Sequence, residues 1–338
     1  MIHLVYFATV AVYPLSVSGL LDTWFLEEPI LSDTCDQRTE LYEGVSYWKL
    51  GCGQKCLEMT NCRRMLICQE PNEYHCMFYY DGDYCVYEGD DTRCNCYRKL
   101  KACTDGRNCT CPLGYYGDTC DQIITECSDG FLRGMAPHGY KVASIKPTTE
   151  LAPYDVVCHF EYGGYTTIMS RENTCCEQDF NRNWTDYVEG FGNVHGVYWL
   201  GLKKIYNLLM NHPVNILKVD TYYNLNKTNQ QCSSFYENMA LGDASADYGF
   251  HVDKLVSWSK TVCGDSLLSA PSINDRPFST YDHDFTSHNC PVRLAGGWWY
   301  ADDPDCSEAN INGRNNELKW VSTLTGTLTK IQMSLQFL

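Results

Sequence analysis

The segment at residues 178–205, QDFNRNWTDYVEGFGNVHGVYWLGLKKI, constrains the fold of this chain more than any other. Glycines are interleaved with large aromatic residues along it. Glycine permits tight turns and a close approach of two backbones, and a buried aromatic ring removes a large apolar area from water. We therefore predict a core segment with several turns. The glycines are Gly190, Gly192, Gly196 and Gly201, and the aromatic residues are Trp184, Tyr187, Phe191, Tyr198 and Trp199.

The same segment resembles the central signature of the fibrinogen-related domain, the C-terminal domain of fibrinogen chains. An ordinary core segment rich in glycine and aromatic residues is the alternative. The resemblance extends over residues 127–338, and it implies an α+β domain with a mainly antiparallel sheet. The residues that match in order and without gaps are Asp179, Phe180, Asn181, Arg182, Trp184, Tyr187, Gly190, Phe191, Gly192, Asn193, Gly196, Trp199, Leu200, Gly201 and Ile205.

Composition places the chain in an oxidising compartment. Its 338 residues suggest more than one domain. The 21 cysteines are spread from Cys35 to Cys306 without a paired CxxC zinc pattern, so we interpret them as disulfides. A formal net charge of -16 argues against a nucleic-acid partner, because such proteins carry a basic face.

An apolar run at residues 2–21 predicts export from the cell. It ends in the small residues Val17, Ser18 and Gly19, so we predict a signal peptide over residues 1–19 that is removed. No second apolar run of about 18 residues follows, and we expect a secreted, extracellular chain with no membrane span after processing. The N-glycosylation sequons fit this route, and they are Asn108, Asn183 and Asn226.

Residues 35–96 contain closely spaced cysteines in short segments that must rely on disulfides for stability. Cys52 and Cys56 are one helical turn apart, so both thiols would lie on one face of a short helix. This spacing resembles a PAN or apple module, with an unclassified disulfide knot as the alternative. The resemblance implies the pairs Cys56 with Cys62, Cys52 with Cys85, and Cys35 with Cys94 or Cys96, and Cys68 and Cys76 would then form an additional local loop.

Residues 97–121 resemble the C-terminal half of an EGF-like module. Gly114 and Gly117 allow the turns of a small two-stranded hairpin, which a bridge between Cys111 and Cys120 would close. We predict an EGF-like spacer without a calcium-binding prefix.

The fibrinogen-related part predicts strands and disulfides of its own. Alternating apolar residues predict strands at 156–160, 165–169 and 215–222, and a further strand at 255–260. The resemblance implies bridges between Cys127 and Cys158 and between Cys290 and Cys306, and we predict a third pair, Cys232 with Cys263.

The number of cysteines predicts a link beyond these pairs. Residues 35–120 hold thirteen cysteines, which is an odd number. One of them is therefore free, bonds to Cys175 or Cys176, or links to another chain. We expect a disulfide-linked homo-oligomer, which would raise avidity for repeated ligands.

The sequence GDSLL around Ser266 spells a motif that serine esterases use for the nucleophile. Such an enzyme also needs a DxxH pair to activate the serine. No DxxH, HExxH or GxSxG occurs in the chain, and the same letters stand here in fibrinogen-related domains. We predict that the protein is not an enzyme.

The resemblance implies a calcium site and a sugar pocket near the end of the chain. Asp282 and Asp284 correspond to the family's calcium ligands, and oxygen donors suit this hard cation. The family continues with further Asn or Asp where this chain has Phe285, Thr286 and Ser287, so a plain solvated turn is the alternative.

Lectin-like members bind acetylated sugars beside that loop. Trp299 and Tyr300 are candidate pocket walls, with a place in the core as the alternative. Cys306 matches the pocket and Ser307 replaces a histidine. This departure, with the inserted acidic residues at 301–305, puts the usual pocket in doubt.

Two functions remain open on the sequence. The first is lectin-like recognition of a glycan or glycoprotein in host defence or cell adhesion. The second is a structural matrix component, an adhesive component or a receptor ligand that docks on protein and has no sugar pocket.

Overall fold

The computed structural model forms two compact units, Met1–Thr110 and Cys111–Leu338. In the first unit it describes seven strands. In the second it describes residues 111–338 except 119, 136–138, 173–177, 213, 226–227, 257–262, 315–316 and 322–326. The predicted signal peptide and the cysteines Cys52, Cys56, Cys62 and Cys85 lie outside the described residues.

The first unit contains a five-stranded antiparallel sheet in the order β1-β5-β3-β4-β2. Met65 and Ile67 are buried on one face of the central strand β3, and Cys68 on its other face is buried as well. Strand β1 precedes the predicted boundary at Cys35. The strands are β1 (Phe25–Glu28), β2 (Glu40–Ser46), β3 (Arg64–Gln69), β4 (Tyr74–Tyr79) and β5 (Cys94–Lys99), and a hairpin follows in β6 (Ala102–Thr104) and β7 (Asn108–Thr110).

The expected bridge between Cys68 and Cys76 is wrong. In the β3–β4 pair Ile67 lies opposite Cys76 and Cys68 lies opposite His75. Successive strand residues point to opposite faces, so the two sulfurs lie on different sides of the sheet. A disulfide requires Cβ atoms about 4 Å apart. Both cysteines are disulfide-bonded, each to another partner.

The second unit is built on a sheet in the order β10-β11-β12-β20-β15-β16-β19, with β13 and β14 attached to β12. The element bounds are β8 (Tyr115–Tyr116), β9 (Gln122–Ile123), α1 (Cys127–Leu132), β10 (Tyr140–Ile145), β11 (Tyr154–His159), β12 (Tyr165–Glu172), α2 (Trp184–Glu189), β13 (Phe191–Gly192), β14 (Tyr198–Trp199), α3 (Leu202–Met210), β15 (Asn215–Leu225), β16 (Thr228–Glu237), β17 (Ala240–Leu241), β18 (Phe250–His251), β19 (Leu255–Val256), α4 (Cys290–Leu294) and β20 (Thr327–Phe337).

The last strand, β20, is the centre of this sheet. It pairs antiparallel with β12 on one side and with β15 on the other. Leu217 and Val219 lie opposite Leu335 and Met333, and all four are buried on the core face. The predicted strands at 156–160, 165–169 and 215–222 are confirmed as parts of β11, β12 and β15.

The signature segment turns where glycine is required. Gly190 and Gly201 have φ values of 97° and 106°, which favour glycine. A Cβ on Gly190 would lie 2.3 Å from the carbonyl oxygen of Leu200, and one on Gly201 would lie 2.6 Å from that of Glu189. Two backbones therefore pass in contact at these glycines. Gly196 has open space around it and no such role.

Helix α3 follows directly and covers the core with one face. Its buried residues are spaced three and four apart, which is the pattern of an amphipathic helix. The buried aromatic side chains of the preceding segment are Phe180, Tyr187, Tyr198 and Trp199, whereas Trp184 and Phe191 are half-buried.

The predicted EGF-like spacer is divided between the two units. Its hairpin β6–β7 belongs to the first, whereas the loop closed by Cys111–Cys120 belongs to the second. The N–H of Ser144 in β10 donates to the carbonyl of Leu113 at 3.1 Å. Gly114 is required there, because a Cβ would lie 2.0 Å from the carbonyl oxygen of Ser144. Residues 111–124 therefore form part of the larger unit.

Candidate functional site

The loop at residues 278–306 is shaped by the disulfide Cys290–Cys306 and by a tight turn. In that turn the backbones of Thr280 and His283 exchange two hydrogen bonds of 3.0 Å. Tyr281 and Asp282 are therefore presented at the tip. Helix α4 follows the turn and carries Cys290 at its first position.

Asp282 and Asp284 each use one carboxylate oxygen within the protein. Oδ1 of Asp282 accepts from the backbone N–H of Trp184 at 2.9 Å and from the hydroxyl of Thr280 at 2.7 Å. Oδ1 of Asp284 accepts from the backbone N–H and the hydroxyl of Thr286, both at 2.8 Å. Both aspartates are exposed.

This donor set fits only a weak calcium site. Among the described residues, the second oxygen of each carboxylate has no hydrogen-bond donor and remains for a cation, whereas calcium takes six to eight oxygen ligands. Within the described ranges, no group of three or more His, Cys, Asp or Glu side chains is arranged to hold a metal ion. Backbone carbonyls and water would have to complete the coordination shell.

A tilted ring contact joins the loop to α2, and an edge-to-face contact follows within the loop. The imidazole of His283 lies 4.2 Å from the Trp184 ring and 4.8 Å from the Phe285 ring. Nε2 of His283 is 3.2 Å from Oδ1 of Asp247. The signature segment and the loop are therefore held together by the hydrogen bond from Trp184 to Asp282 and by the ring contact between Trp184 and His283.

Trp299 and Tyr300 do not form the wall of a pocket. They are 0% and 1% exposed, and each polar atom is bonded internally. Nε1 of Trp299 donates to the carbonyl of Tyr248 at 2.8 Å. The hydroxyl of Tyr300 donates to the carbonyl of Gly296 at 2.8 Å. Burial raises the pKa of Tyr300 well above its usual value. The prediction of ligand contacts from these two side chains is corrected, because both belong to the core.

The side chains of Cys306 and Ser307 are also buried. Cys306 is fully buried in its disulfide, and the Ser307 hydroxyl accepts from the backbone N–H of Ala309 at 3.1 Å. The inserted acidic residues fold back on the loop, since Oδ1 of Asp302 accepts from the N–H of Ser287 at 2.7 Å. This backbone hydrogen bond lowers the pKa of Asp302.

The accessible apolar surface of this region lies on the loop itself. Tyr281 and Phe285 are 46% and 40% exposed, and Val292 on α4 is also exposed. Sequence reasoning missed these residues as contact candidates. The available signal was Phe285, an aromatic residue that follows the two aspartates where a polar residue was expected. We call Tyr281, Phe285 and the exposed carboxylates of Asp282, Asp284 and Asp302 the loop surface.

Ser266 is not an accessible nucleophile. It is fully buried, and its Oγ accepts from the backbone N–H of Val321 at 2.7 Å. Oδ1 of Asp265 accepts from the N–H groups of Leu267 and Leu268. The GDSLL segment is therefore a buried turn.

His251 lies between two carboxylates. Its Nδ1 is 2.7 Å from Oδ1 of Asp275, and its Nε2 is 3.3 Å from Oδ1 of Asp253. The hydrogen bond to Asp275, followed by that to Asp253, raises the pKa of His251.

Four predicted cysteine pairs of the larger unit form disulfides in the structure. One predicted glycosylation sequon lies at the N-terminus of helix α2. Oδ1 of Asn183 accepts from the N–H of Asp186 at 2.8 Å and caps α2. Asn108 begins β7, and Asn226, Cys175 and Cys176 lie outside the described residues. The disulfides are Cys111–Cys120, Cys127–Cys158, Cys232–Cys263 and Cys290–Cys306.

No helix in the described part of the chain has the length and hydropathy needed to cross a bilayer.

Together these features define a disulfide-bonded α+β globe with its loops gathered around a buried aromatic core. Residues 123–330 match the C-terminal globular domain of the fibrinogen beta and gamma chains, so the chain belongs to that family. The predicted fibrinogen-related domain is confirmed. The PAN or apple module and the EGF-like spacer stay predictions.

Relatives and solved structures match the same part of the chain. Mouse fibrinogen-like protein 1 is 34% identical over 202 residues, covering 56% of this chain and 60% of its own length. Human angiopoietin-related protein 3 is 32% identical over 201 residues, covering 58% and 39%. The chain thus spans less than two thirds of either relative, and activities of the whole relatives do not transfer directly.

The fold is shared with two human globe domains. The fibrinogen-like globe domain of human ANGPTL6 is 25% identical with a TM-score of 0.54, covering 64% of this chain and 96% of that domain. That of human ANGPTL2 is 26% identical with a TM-score of 0.53, covering 63% and 98%.

Proposed function

We propose that this protein is a secreted, non-enzymatic ligand whose fibrinogen-related domain docks on a protein partner, such as a cell-surface receptor, through the loop surface. The single observation that carries this proposal is the placement of aromatic residues around residues 278–306. Trp299 and Tyr300, the expected sugar-pocket residues, are buried and internally bonded, whereas Tyr281 and Phe285 are exposed. Exposed aromatic residues are frequent contact residues in protein interfaces.

The charge of the loop surface indicates the chemistry of the partner. Asp282, Asp284 and Asp302 are exposed, and the chain as a whole has a formal net charge of -16. Carboxylates around an apolar centre attract a surface rich in Lys and Arg and raise its association rate. The partner we propose is therefore an extracellular protein with a basic face.

The relatives agree with a ligand more closely than with a lectin. Their names include angiopoietin-related protein 3, fibrinogen-like protein 1 and angiopoietin-2. Disulfides in both units fit an oxidising, extracellular environment. The lectin-like function expected first from the sequence gives way to the receptor ligand, and a buried Ser266 fits a protein without esterase activity.

Binding of the purified secreted protein to cultured cells tests this function. We expect saturable binding that disappears after the cell surface is treated with protease and survives enzymatic removal of glycans. Because exposed charges are screened by salt, binding should also weaken as ionic strength rises. Saturable binding to a glycan array that EDTA abolishes would instead restore the lectin.

The covalent oligomer stays a prediction, since Cys175 and Cys176 lie outside the described residues. A single monomer band on a non-reducing gel of the secreted protein would reject it.

A further inference from the structure

We propose that Asn183 carries an N-linked glycan that stands beside the loop surface and controls access to it. The inference rests on the proposed function only for its consequence, which is masking of the docking surface. The modification itself rests on the sequon Asn183-Trp184-Thr185 and on the geometry of its side chains.

The Asn183 side chain can carry the glycan without losing its structural role. Its Oδ1 accepts from the N–H of Asp186 at 2.8 Å, and its Nδ2 makes no hydrogen bond to a described residue. Glycosylation uses Nδ2, so the capping oxygen is retained. Asn183 is half-buried and Thr185 is exposed at the start of α2.

The covalent step requires a lipid-pyrophosphate-linked oligosaccharide. A bond forms between Nδ2 of Asn183 and C1 of the first sugar while the C1–O bond to the lipid pyrophosphate breaks. Nδ2 loses one proton, and the lipid pyrophosphate leaves. Oδ1 and its bond to the N–H of Asp186 are unchanged.

The next residue in the chain places this glycan at the loop. The N–H of Trp184, which is joined directly to Asn183, donates to Oδ1 of Asp282 at 2.9 Å. The Trp184 ring lies 4.2 Å from His283, whose ring lies 4.8 Å from Phe285. A flexible oligosaccharide attached to Asn183, next to the residue that contacts Asp282, therefore occupies the space in front of Tyr281 and Phe285.

Three variants separate the glycan from the helix cap. Thr185→Ala removes the sequon and leaves the Asn183 side chain in place, whereas Thr185→Ser keeps the sequon. Asn183→Asp removes the glycan and retains a capping oxygen, because aspartate is as good an N-cap as asparagine. The full chain is secreted from glycosylation-competent cells, and occupancy at residue 183 is measured by mass spectrometry.

Hydroxyl-radical footprinting then reports the accessibility of Tyr281 and Phe285. We expect occupancy in wild type and Thr185→Ser, and several-fold higher labelling of both aromatic residues in Thr185→Ala and Asn183→Asp. An unoccupied Asn183, or equal labelling in all four proteins, overturns the inference.

Cell binding by the same four proteins separates this inference from the proposed function. Stronger binding by the two glycan-free variants supports both. If labelling differs between the proteins but cell binding is equal, the glycan lies beside the loop as inferred. That result contradicts the proposed docking surface instead.

Discussion

The backbone N–H of Trp184 donates to Oδ1 of Asp282 at 2.9 Å, across 98 residues of sequence. The first N–H groups of a helix have no partner within the helix. Asn183 satisfies the N–H of Asp186, and Asp282 satisfies that of Trp184. The signature segment and the loop therefore cap the N-terminus of α2 together. The position of the loop depends on this helix.

This shared helix start leads to a prediction about Asp282. In EDTA, Asp282→Ala should lower the free energy of unfolding by about 1–2 kcal/mol, because Trp184 loses its acceptor. Asp282→Asn keeps an acceptor oxygen and should cost less. Urea denaturation monitored by tryptophan fluorescence gives both values. Equal stability of wild type and Asp282→Ala would contradict the structural role.

The same variants test calcium. Millimolar calcium should raise the unfolding midpoint of wild type, since extracellular calcium modules have dissociation constants of about 10⁻⁴–10⁻³ M. Both Asp282 variants should lose this shift. A shift of wild-type size in Asp282→Ala would exclude Asp282 as a ligand.

Gly190 lies where two backbones approach closely, so a larger residue there is strained. Gly190→Ala should cost at least about 2 kcal/mol, because the residue has φ 97° and its Cβ would contact the Leu200 carbonyl. Gly196→Ala is the matched control and should change stability by no more than about 0.5 kcal/mol. Thermal unfolding of both variants decides this, and similar losses would show that the close approach at Gly190 is unimportant.

Part of this geometry was visible in the sequence. Glycine between aromatic residues predicted close backbone contact at Gly190 and Gly201, yet the same pattern gave Gly196 equal weight. Local pattern does not reveal which glycine faces a distant backbone. Residue type also left Trp299 and Tyr300 undecided, because large aromatic side chains suit both a core and a sugar pocket. Their burial is decided by tertiary contacts with residues such as Tyr248.

Ser266 should matter for stability and not for catalysis. Ser266→Ala leaves the buried N–H of Val321 without an acceptor, which should cost about 1–3 kcal/mol. Neither wild type nor the variant should hydrolyse an ester substrate. Hydrolysis by wild type that the variant loses would establish an enzyme.

The raised pKa of His251 predicts a stability change with pH. The folded protein holds this proton more tightly than the unfolded chain, because Asp275 and Asp253 accept from the ring. The stability that this proton contributes is therefore complete below the unfolded-state pKa of about 6.5. It is lost as pH rises through the raised pKa of the folded state.

Comparison with His251→Gln measures this gain. The stability difference between wild type and the variant should be larger at pH 5 than at pH 9, as measured by urea denaturation at each pH. A difference that does not vary with pH would show that His251 is not stabilised by its two aspartates.

The central claim is that the protein docks through the loop surface. Tyr281→Ser with Phe285→Ser removes both exposed aromatic side chains, and Leu132→Ser with Met210→Ser removes two exposed apolar side chains elsewhere. The most direct measurement is cell-binding affinity of the two double variants, after circular dichroism shows both to be folded. We predict at least a roughly tenfold loss for the loop variant, which corresponds to about 1.4 kcal/mol, and no loss for the control. Unchanged binding by the loop variant would contradict the claim.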